Sequence, residues 1–325
     1  MNFSSMEYFT VLAQERSFTH AAERLHITQQ SLSAHIAGME QELGCQLVVR
    51  RIPLELTYAG TVLLRYATDF QQSYIAMKRE FSDISQNHKG ILRVGIAATR
   101  GRVLLPDIIP RFQQRYPNIT VALSEGSNSA LHQMLLNGTL DVAIADFPIL
   151  MSDILLRLFY RERIVLLIRK TLFQSVYGSS AESTAQQFRE GNLARLASCP
   201  LVIGTEDDID GRIGYGLLGK ADISTPIVRT VSHNVGTLLS LCLQGIGACF
   251  CPENLLHAIL PGDNPDALMR FDLGNEAEYT IRFGYRKQPY QWAVISDFMD
   301  IAEDVQNNRR RPPADKAVPE DVPVT

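Results

Sequence analysis

The sequence predicts an all-α amino-terminal domain with a small β-hairpin and a long linker helix, joined to a larger carboxy-terminal α/β domain. Three observations carry this. The chain has 325 residues, about twice the ~150 residues of an ordinary domain. Up to about residue 86 apolar residues recur at three- and four-residue spacing, and beyond residue 90 short apolar runs alternate with helical stretches. Between the third and fourth helical segments, β-branched Val48 and Val49 precede a turn at Pro53 and an alternation around Leu54 and Leu56, the pattern of a small hairpin.

The first helix carries Phe9, Leu12 and Ala13 on one face, with Ser4 or Ser5 as its expected cap. Ser17 or Thr19 begins the second, which turns Ala21, Ala22 and Leu25 inward. Thr28 caps the third, where Leu32, Ile36, Met39 and Leu43 repeat until Gly44 stops it. After the hairpin, 58–88 is a long amphipathic helix whose Val62, Tyr66, Phe70, Met77, Phe81 and Ile84 form an apolar seam. With no globular neighbour adjacent in sequence, that seam is expected to pair with its copy in a second chain.

Beyond the linker at 87–90, strands are expected at 92–97, 120–124, 141–145, 164–168, 201–203, 228–231, 248–250 and 281–285, with helices between them, as in a parallel α/β sheet. A last helix is expected from near Gln291 to about Val305, and the proline- and charge-rich segment 306–325 is expected to be a disordered tail. Its Arg309, Arg310 and Arg311 read as a solvated run, with a DNA contact as the alternative.

Composition narrows the function classes. With 46% hydrophobic and 20% charged residues the chain is of globular type, and no run approaches the ~18 apolar residues of a membrane span. The amino terminus lacks a basic stretch and carries Glu7 and Glu15 where a secretory signal keeps an apolar core, so a cytoplasmic protein is expected. Cys45, Cys199, Cys242, Cys249 and Cys251 are an odd set without a CxxC pair, which disfavours a disulfide framework or a zinc site. Cys249 and Cys251 flank Phe250 and share a face if that run is a strand; they read as small buried hydrophobes, with a redox role as the alternative. The net charge is -4, and residues 1–90 hold eight Lys/Arg against nine Asp/Glu. Any nucleic-acid binding therefore relies on where charges stand, not on their sum.

Reading a major groove needs a helix held by a preceding one, with small residues where the two meet. Residues 18–43 supply this arrangement, a helix-turn-helix with the hairpin as its wing. Ala21 and Ala22 allow close approach, Leu25 and Ile27 plug the junction, and His26 occupies the turn. The face of the third helix away from Leu32, Ile36 and Met39 offers Gln29, Gln30, Ser33, Ala34 and His35. Gln pairs bidentately with adenine, Ser donates or accepts, and an Ala methyl meets that of thymine. On spacing alone, an ordinary three-helix bundle with a polar face stays open.

Residues 1–66 resemble the DNA-binding region of the LysR-type transcriptional regulators. The match runs through Phe9, Ser17, Ala21, Ala22, Leu25, Thr28, Gln29, Leu32, Ser33, Ile36, Glu40, Leu43, Gly44, Leu47, Arg50, Leu56, Thr57 and Gly60. With the downstream domain order it covers about 1–303. The resemblance implies a winged helix-turn-helix at 1–57, the linker and dimerisation helix at 58–88, and an effector-binding domain at 90–303. It implies double-stranded DNA with dyad symmetry as partner and a homodimer or homotetramer as the assembly. By the same resemblance Thr28, Gln29, Gln30, Ser33, Ala34 and His35 lie at the bases, and Arg50 and Arg51 hold phosphates. Gln30 stands where the family usually has proline and Ala34 where arginine is frequent, which removes one phosphate or guanine contact. Val48 and Val49 replace the common Phe and Glu of the wing.

The effector domain implied is two-lobed, like a type II periplasmic binding protein, with lobe one at 91–162 and 269–303, lobe two at 163–268, and the ligand between them. Polar strand-to-helix junctions at 98–100, 127–129, 204–206 and 232–234 suit such a cleft, because helix amino termini aim amides into it. Thr99, Arg100, Ser127, Asn128, Thr205, His233 and Asn234 are the expected effector contacts, with plain helix capping as the alternative for each. Arg100 and Arg102 suit a carboxylate or stand as solvated charges, and a small organic anion is the expected effector. No cofactor or metal is expected. No GxGxxG, P-loop or GxSxG follows a strand, and His132, His233 and His257 lack a nucleophile or carboxylate at diagnostic spacing, so no enzyme is expected. Two other readings stay open: a small-molecule-binding protein that does not bind DNA, and a redox-sensing regulator using its cysteines.

Overall fold

The structure, a computed structural model, describes residues 2–85, 89–148, 153–259, 267–288 and 290–310. The expected linker residues Asn87 and His88, the tail from 311 onward and the side chain of His257 lie outside the described residues. The chain divides into two compact units, Met1–Asn87 with Gln288–Trp292, and His88–Lys287 with Ala293–Thr325.

In the first unit α1 (Phe3–Glu15), α2 (Phe18–Leu25) and α3 (Gln29–Leu43) precede the hairpin β1 (Val48–Val49) and β2 (Glu55–Leu56) and the long helix α4 (Tyr58–Ile84). Asn2, not Ser4 or Ser5, caps α1. Its Oδ1 accepts from both the amide and the hydroxyl of Ser5, which is already inside the helix. Ser17 caps α2, and Thr28 caps α3 by accepting from the Ser31 amide at 3.1 Å. His26 closes α2 in the left-handed region at φ 54°. Phe9, Leu12, Ala21, Ala22, Leu32, Ile36, Met39, Leu47, Val48, Leu54 and Leu63 form one core, with Leu25 and Ile27 packed against it.

The second unit begins with β3 (Gly90–Ile96), α5 (Ala98–Arg115), β4 (Ile119–Glu125), α6 (Asn128–Leu136), β5 (Val142–Ala145) and β6 (Ile154–Arg169). There follow α7 (Lys170–Tyr177), α8 (Ala181–Arg189), β7 (Leu201–Ile203), α9 (Ile209–Lys220), β8 (Val228–Val231), α10 (Val235–Leu243), β9 (Cys249–Pro252) and α11 (Glu253–Ile259). The unit ends with β10 (Leu268–Asp272), β11 (Glu278–Arg286) and α12 (Ala293–Arg310).

The expected parallel sheet is parallel only in part. β3 pairs in parallel with β4 and β5, but β11 runs antiparallel to β5 and β6, and β6 is antiparallel to β9 and β10. The reason is topological: β6 is 16 residues long, its first part pairing with β11 and its last part with β9 and β10. It carries the chain out of the β3–β5 layer, and β11 brings it back in the opposite sense. The sequence suggested only the apolar second half of β6, because Arg157, Arg161, Glu162 and Arg163 interrupt the first half. Strand β10 was not expected either. The last helix also continues past Val305 to Arg310, in place of the expected tail. Gln306 is buried, and Arg309 pairs with Asp107 and donates to the Val103 carbonyl at 2.7 Å. For Arg309 the expected solvated run is thus corrected.

Candidate functional site

The first candidate surface is the leading edge of α3. Gln29, Gln30, Ala34 and His35 are exposed and Ser33 is half-buried, while Leu32, Ile36 and Met39 on the opposite face are in the core. The Thr28 hydroxyl is committed to its cap. The His35 ring meets Tyr8 edge-on at 4.9 Å, so it also packs toward α1. Arg50 lies over the Phe18 ring at 5.4 Å, which fixes the wing's base against α2. Arg51 is ion-paired with Glu55 across the hairpin, so its charge is partly offset.

Sequence reasoning did not see what aims the wing. Glu40 reaches out of α3 and accepts from the Leu47 amide at 2.8 Å and the Val48 amide at 3.4 Å. Thr57 caps α4 and donates its hydroxyl to the Gln46 carbonyl at 2.7 Å. A Cβ on Gly60 would fall 2.0 Å from the Leu47 carbonyl oxygen, so only glycine lets α4 approach this closely. Four of the residues that carried the resemblance, Glu40, Leu47, Thr57 and Gly60, thus share one joint.

The second candidate site is a cleft of 460 Å³ in the second unit. Four strand-to-helix junctions supply its walls: Ala97 to Arg100, Glu125 to Asn128, Asp208 to Asp210, and His233 to Val235, with Tyr279 also at the wall. Of the expected contacts, Thr99, Arg100, Ser127, Asn128, His233 and Asn234 line it. Thr205 does not. Its hydroxyl instead donates to Asp208 Oδ2 at 3.0 Å and stands 3.0 Å from His233 Nδ1. Ser127 and Asn234 do cap α6 and α10 while lining the cleft. Asn128 is no cap; its Oδ1 accepts from the Asp146 amide at 3.2 Å. Thr99 donates across the cleft to Asn234 Oδ1 at 3.4 Å.

Arg100 is the residue whose surroundings change its meaning most. It is buried, donates to Glu162 at 2.8 Å and to the hydroxyls of Tyr160 and Tyr279, and Tyr279 in turn donates to Glu162. Burial opposes the guanidinium charge, yet the Glu162 carboxylate and the two tyrosines hold it charged well above its ordinary range. Its charge is already balanced by the protein. Arg102, the other expected anion partner, is exposed and outside the lining.

Carboxyl groups that the sequence reading passed over dominate the rest. Glu125, Asp208 and Asp210 line the cleft, and burial pushes the Asp210 carboxyl up to about 7 against the pull of backbone amides. Asp208 Oδ2 lies 2.8 Å from His233 Nδ1. In the sequence Asp208 and Asp210 stand in a short acidic run with Glu206 and Asp207, and Glu125 stands apart from it at the end of β4.

His233, Asp208 and Thr205 hold residue types of a catalytic triad but not its geometry. Both Thr205 and Asp208 approach the same ring nitrogen, so no second nitrogen is engaged to relay a proton from the hydroxyl. Cys199, Cys242, Cys249 and Cys251 are buried, with Cys242, Cys249 and Cys251 in one apolar cluster. Burial raises the Cys199 thiol to about 11, and contact with Cys242 together with burial holds Cys249 well above the usual thiol range. Among the described residues no cluster of His, Cys, Asp or Glu is placed to hold a metal, and no helix is long and apolar enough to cross a membrane.

A helix-turn-helix carried on one chain with a ligand cleft of this construction defines a ligand-responsive DNA-binding regulator. Residues 3–61 match the family model of the bacterial regulatory helix-turn-helix protein, lysR family, and residues 85–307 match the LysR substrate binding domain. An uncharacterized HTH-type transcriptional regulator of Bacillus subtilis (strain 168), YcgK, is 35% identical over 312 residues, which is 94% of each chain. Among solved structures, full-length CbnR complexed with its target DNA has a TM-score of 0.59 at 22% identity, over 94% of this chain and 100% of that one. Full-length OxyR from Pseudomonas aeruginosa has a TM-score of 0.63 at 20% identity, over 94% of both chains. The chain belongs to the LysR family of transcriptional regulators, and its second unit has the periplasmic-binding-like fold of those neighbours.

Proposed function

We propose that this LysR-family regulator reads an operator of dyad symmetry as a homodimer, with Gln29, Gln30, Ser33 and Ala34 at the base edges and Arg50 at the phosphates. The observation that carries the reading is the polar, exposed leading edge of α3, set against a core-facing edge of Leu32, Ile36 and Met39. Dimerisation is assigned to α4, whose Tyr66, Phe70, Met77, Phe81 and Ile84 are exposed large apolar side chains at helical spacing. The cleft is assigned to an effector whose binding alters DNA affinity or geometry. The reading places the protein in the cytoplasm, where its DNA is, and gives it no catalytic role, since the His233 cluster lacks a proton relay.

The assignment of bases and phosphates is tested by competition binding on specific and scrambled duplexes. Gln29→Ala is expected to lose about 1–3 kcal/mol on the specific site and little on the scrambled one. Arg50→Ala is expected to weaken both alike and to reduce the salt slope by about one. Equal losses on both duplexes with Gln29→Ala would remove this residue from base reading.

A redox-sensing role is the second reading. Peroxide attack needs a thiolate at an accessible site, and four of the five cysteines are buried, three of them with raised thiols. Our reading therefore rests on ligand binding and not on cysteine oxidation.

A further inference from the structure

We infer that the cleft takes a small molecule bearing a protonated amine, seated against Asp210 with Asp208 and Glu125 on the walls; this rests on the effector reading of the cleft given above. The organic anion expected from the sequence would meet three carboxyl groups here. The two basic side chains in the lining do not redress the balance. Arg100 is spent on Glu162, and His233 already lies against Asp208.

Asp210 is the specific feature. It is the second residue of α9 and only 3% exposed, and its Oδ2 has no hydrogen-bond partner in the structure. A Cβ on Gly204 would come within 2.4 Å of that oxygen, so glycine at 204 is what gives the carboxyl its place. The neighbouring Asp208 is the cap residue of α9 but makes no side-chain cap, because its carboxylate is turned to Thr205 and His233. Asp210 also stands on the cleft wall, and its carboxyl is held in the structure by the backbone amides of Asp210 and Gly211, so a charged N–H from a ligand adds the strong donor that this buried acid lacks. Hydroxyl and amide groups at Thr99, Ser127 and Asn128, beside Glu125, leave the opposite wall suited to a polar, uncharged or cationic end of the same molecule.

Amine binding at this carboxyl is coupled to a proton. Burial holds Asp210 near half-protonation at neutral pH, Asp208 adds to this, and His233 opposes it. The thiols of Cys249 and Cys251 on β9 sense its charge from behind, with Glu162 acting on Cys251 from the same side, and Arg100 balances Glu162 there. A cation arriving at Asp210 ionises it, so binding near pH 7 expels a proton and weakens as the pH falls below 7.

The test is calorimetry on the full-length protein with a matched set of probes: pentane-1,5-diamine, glutarate and pentane-1,5-diol. The diamine is expected to bind preferentially, to release a proton as judged from heats in two buffers of different ionisation enthalpy, and to lose about tenfold or more in affinity with Asp210→Asn. Glu125→Gln, at the exposed rim, is expected to cost less than Asp210→Asn and keeps the test available if the buried variant folds poorly. Preferential binding of glutarate, or a diamine affinity indifferent to both substitutions, overturns the amine assignment and leaves the effector cleft standing. Binding by none of the three, with no change in the unfolding midpoint, overturns both.

Discussion

Removing Glu162 tests whether the cleft floor is held by a balanced buried ion pair. The Glu162 side chain is 0% exposed and that of Arg100 6%, their charged groups 2.8 Å apart, with Tyr160 and Tyr279 completing the group. Taking away one partner of such a pair strands the other charge, which typically costs about 3–5 kcal/mol. For a domain of this size that is a fall in melting temperature on the order of 10 °C. Glu162→Leu and Arg100→Met alone are each expected to show this loss by urea denaturation. The double variant is expected to lose less than either single one, because no charge is left uncompensated and only the tyrosine hydroxyls lose partners. A double variant whose destabilisation equals the sum of the two would refute the coupling and, with it, the claim that Arg100 is not available to an anionic ligand.

Asp210 gives a pH prediction. Its folded value of about 7 lies above the ordinary 3.8, so the native state keeps a proton that the unfolded chain releases; this contribution is full below pH 3.8 and is lost as pH rises to about 7. Asp210→Asn is therefore expected to be more stable than the parent at pH 8, by up to about 4 kcal/mol, with the difference vanishing toward pH 4; a gap that does not change with pH speaks against it. Gly60→Ala, which forces a Cβ onto the Leu47 carbonyl, is expected to cost about 3 kcal/mol and to weaken DNA binding by moving the wing. Gly38→Ala, with nothing within 4 Å of its Cβ, is the control and is expected to gain roughly 0.5–1 kcal/mol in helix propensity. With a thiol reagent the native protein is expected to show one fast-reacting cysteine, the exposed Cys45, and the other four only on unfolding; two or more fast thiols would reopen the redox reading.

The reading helix was legible because its determinants are local. Thr28 and Gly44 mark its ends, His26 makes the turn, and Leu32, Ile36 and Met39 repeat at helical spacing. The cap of α1 was misread for an equally local reason: Ser5 looks like a cap and is in fact the residue that Asn2 caps. What was not local was missed. The reach of Glu40 to the Leu47 amide and the clearance that Gly60 leaves depend on elements meeting in space. Three of the junctions lining the cleft were visible as strand ends followed by polar residues, whereas the one expected at 204–206 contributes Asp208 to Asp210 instead. The sign of the cleft was not visible, because Asp208 and Asp210 sit beside Glu206 and Asp207 in the sequence and look solvated. Burial beneath Gly204 sets Asp210 apart from them, and burial against Arg100 does the same for Glu162.

The cleft is held unequally at its walls and its floor. Among the described residues Thr99 donates across it to Asn234 at 3.4 Å, and beside it Asp146 pairs with Arg212, whose side chain is 55% exposed. Exposed ion pairs contribute about 0–1 kcal/mol, and a bond at the distance limit contributes less than a well-formed one. The walls are thus weakly latched to each other, whereas the floor is pinned by Arg100, Glu162 and Tyr279, which join α5 to the two crossing strands β6 and β11. A ligand that binds both walls needs to shift only the weak contacts, with differential affinity of a few kcal/mol, to reset their separation. With the floor held in this way, ligand-driven movement is expected as a rotation about β6 and β11 and not as a loosening of the whole domain; hydrogen exchange that rises on ligand addition at Arg100, Glu162 and Tyr279 as much as at the cleft walls would refute this.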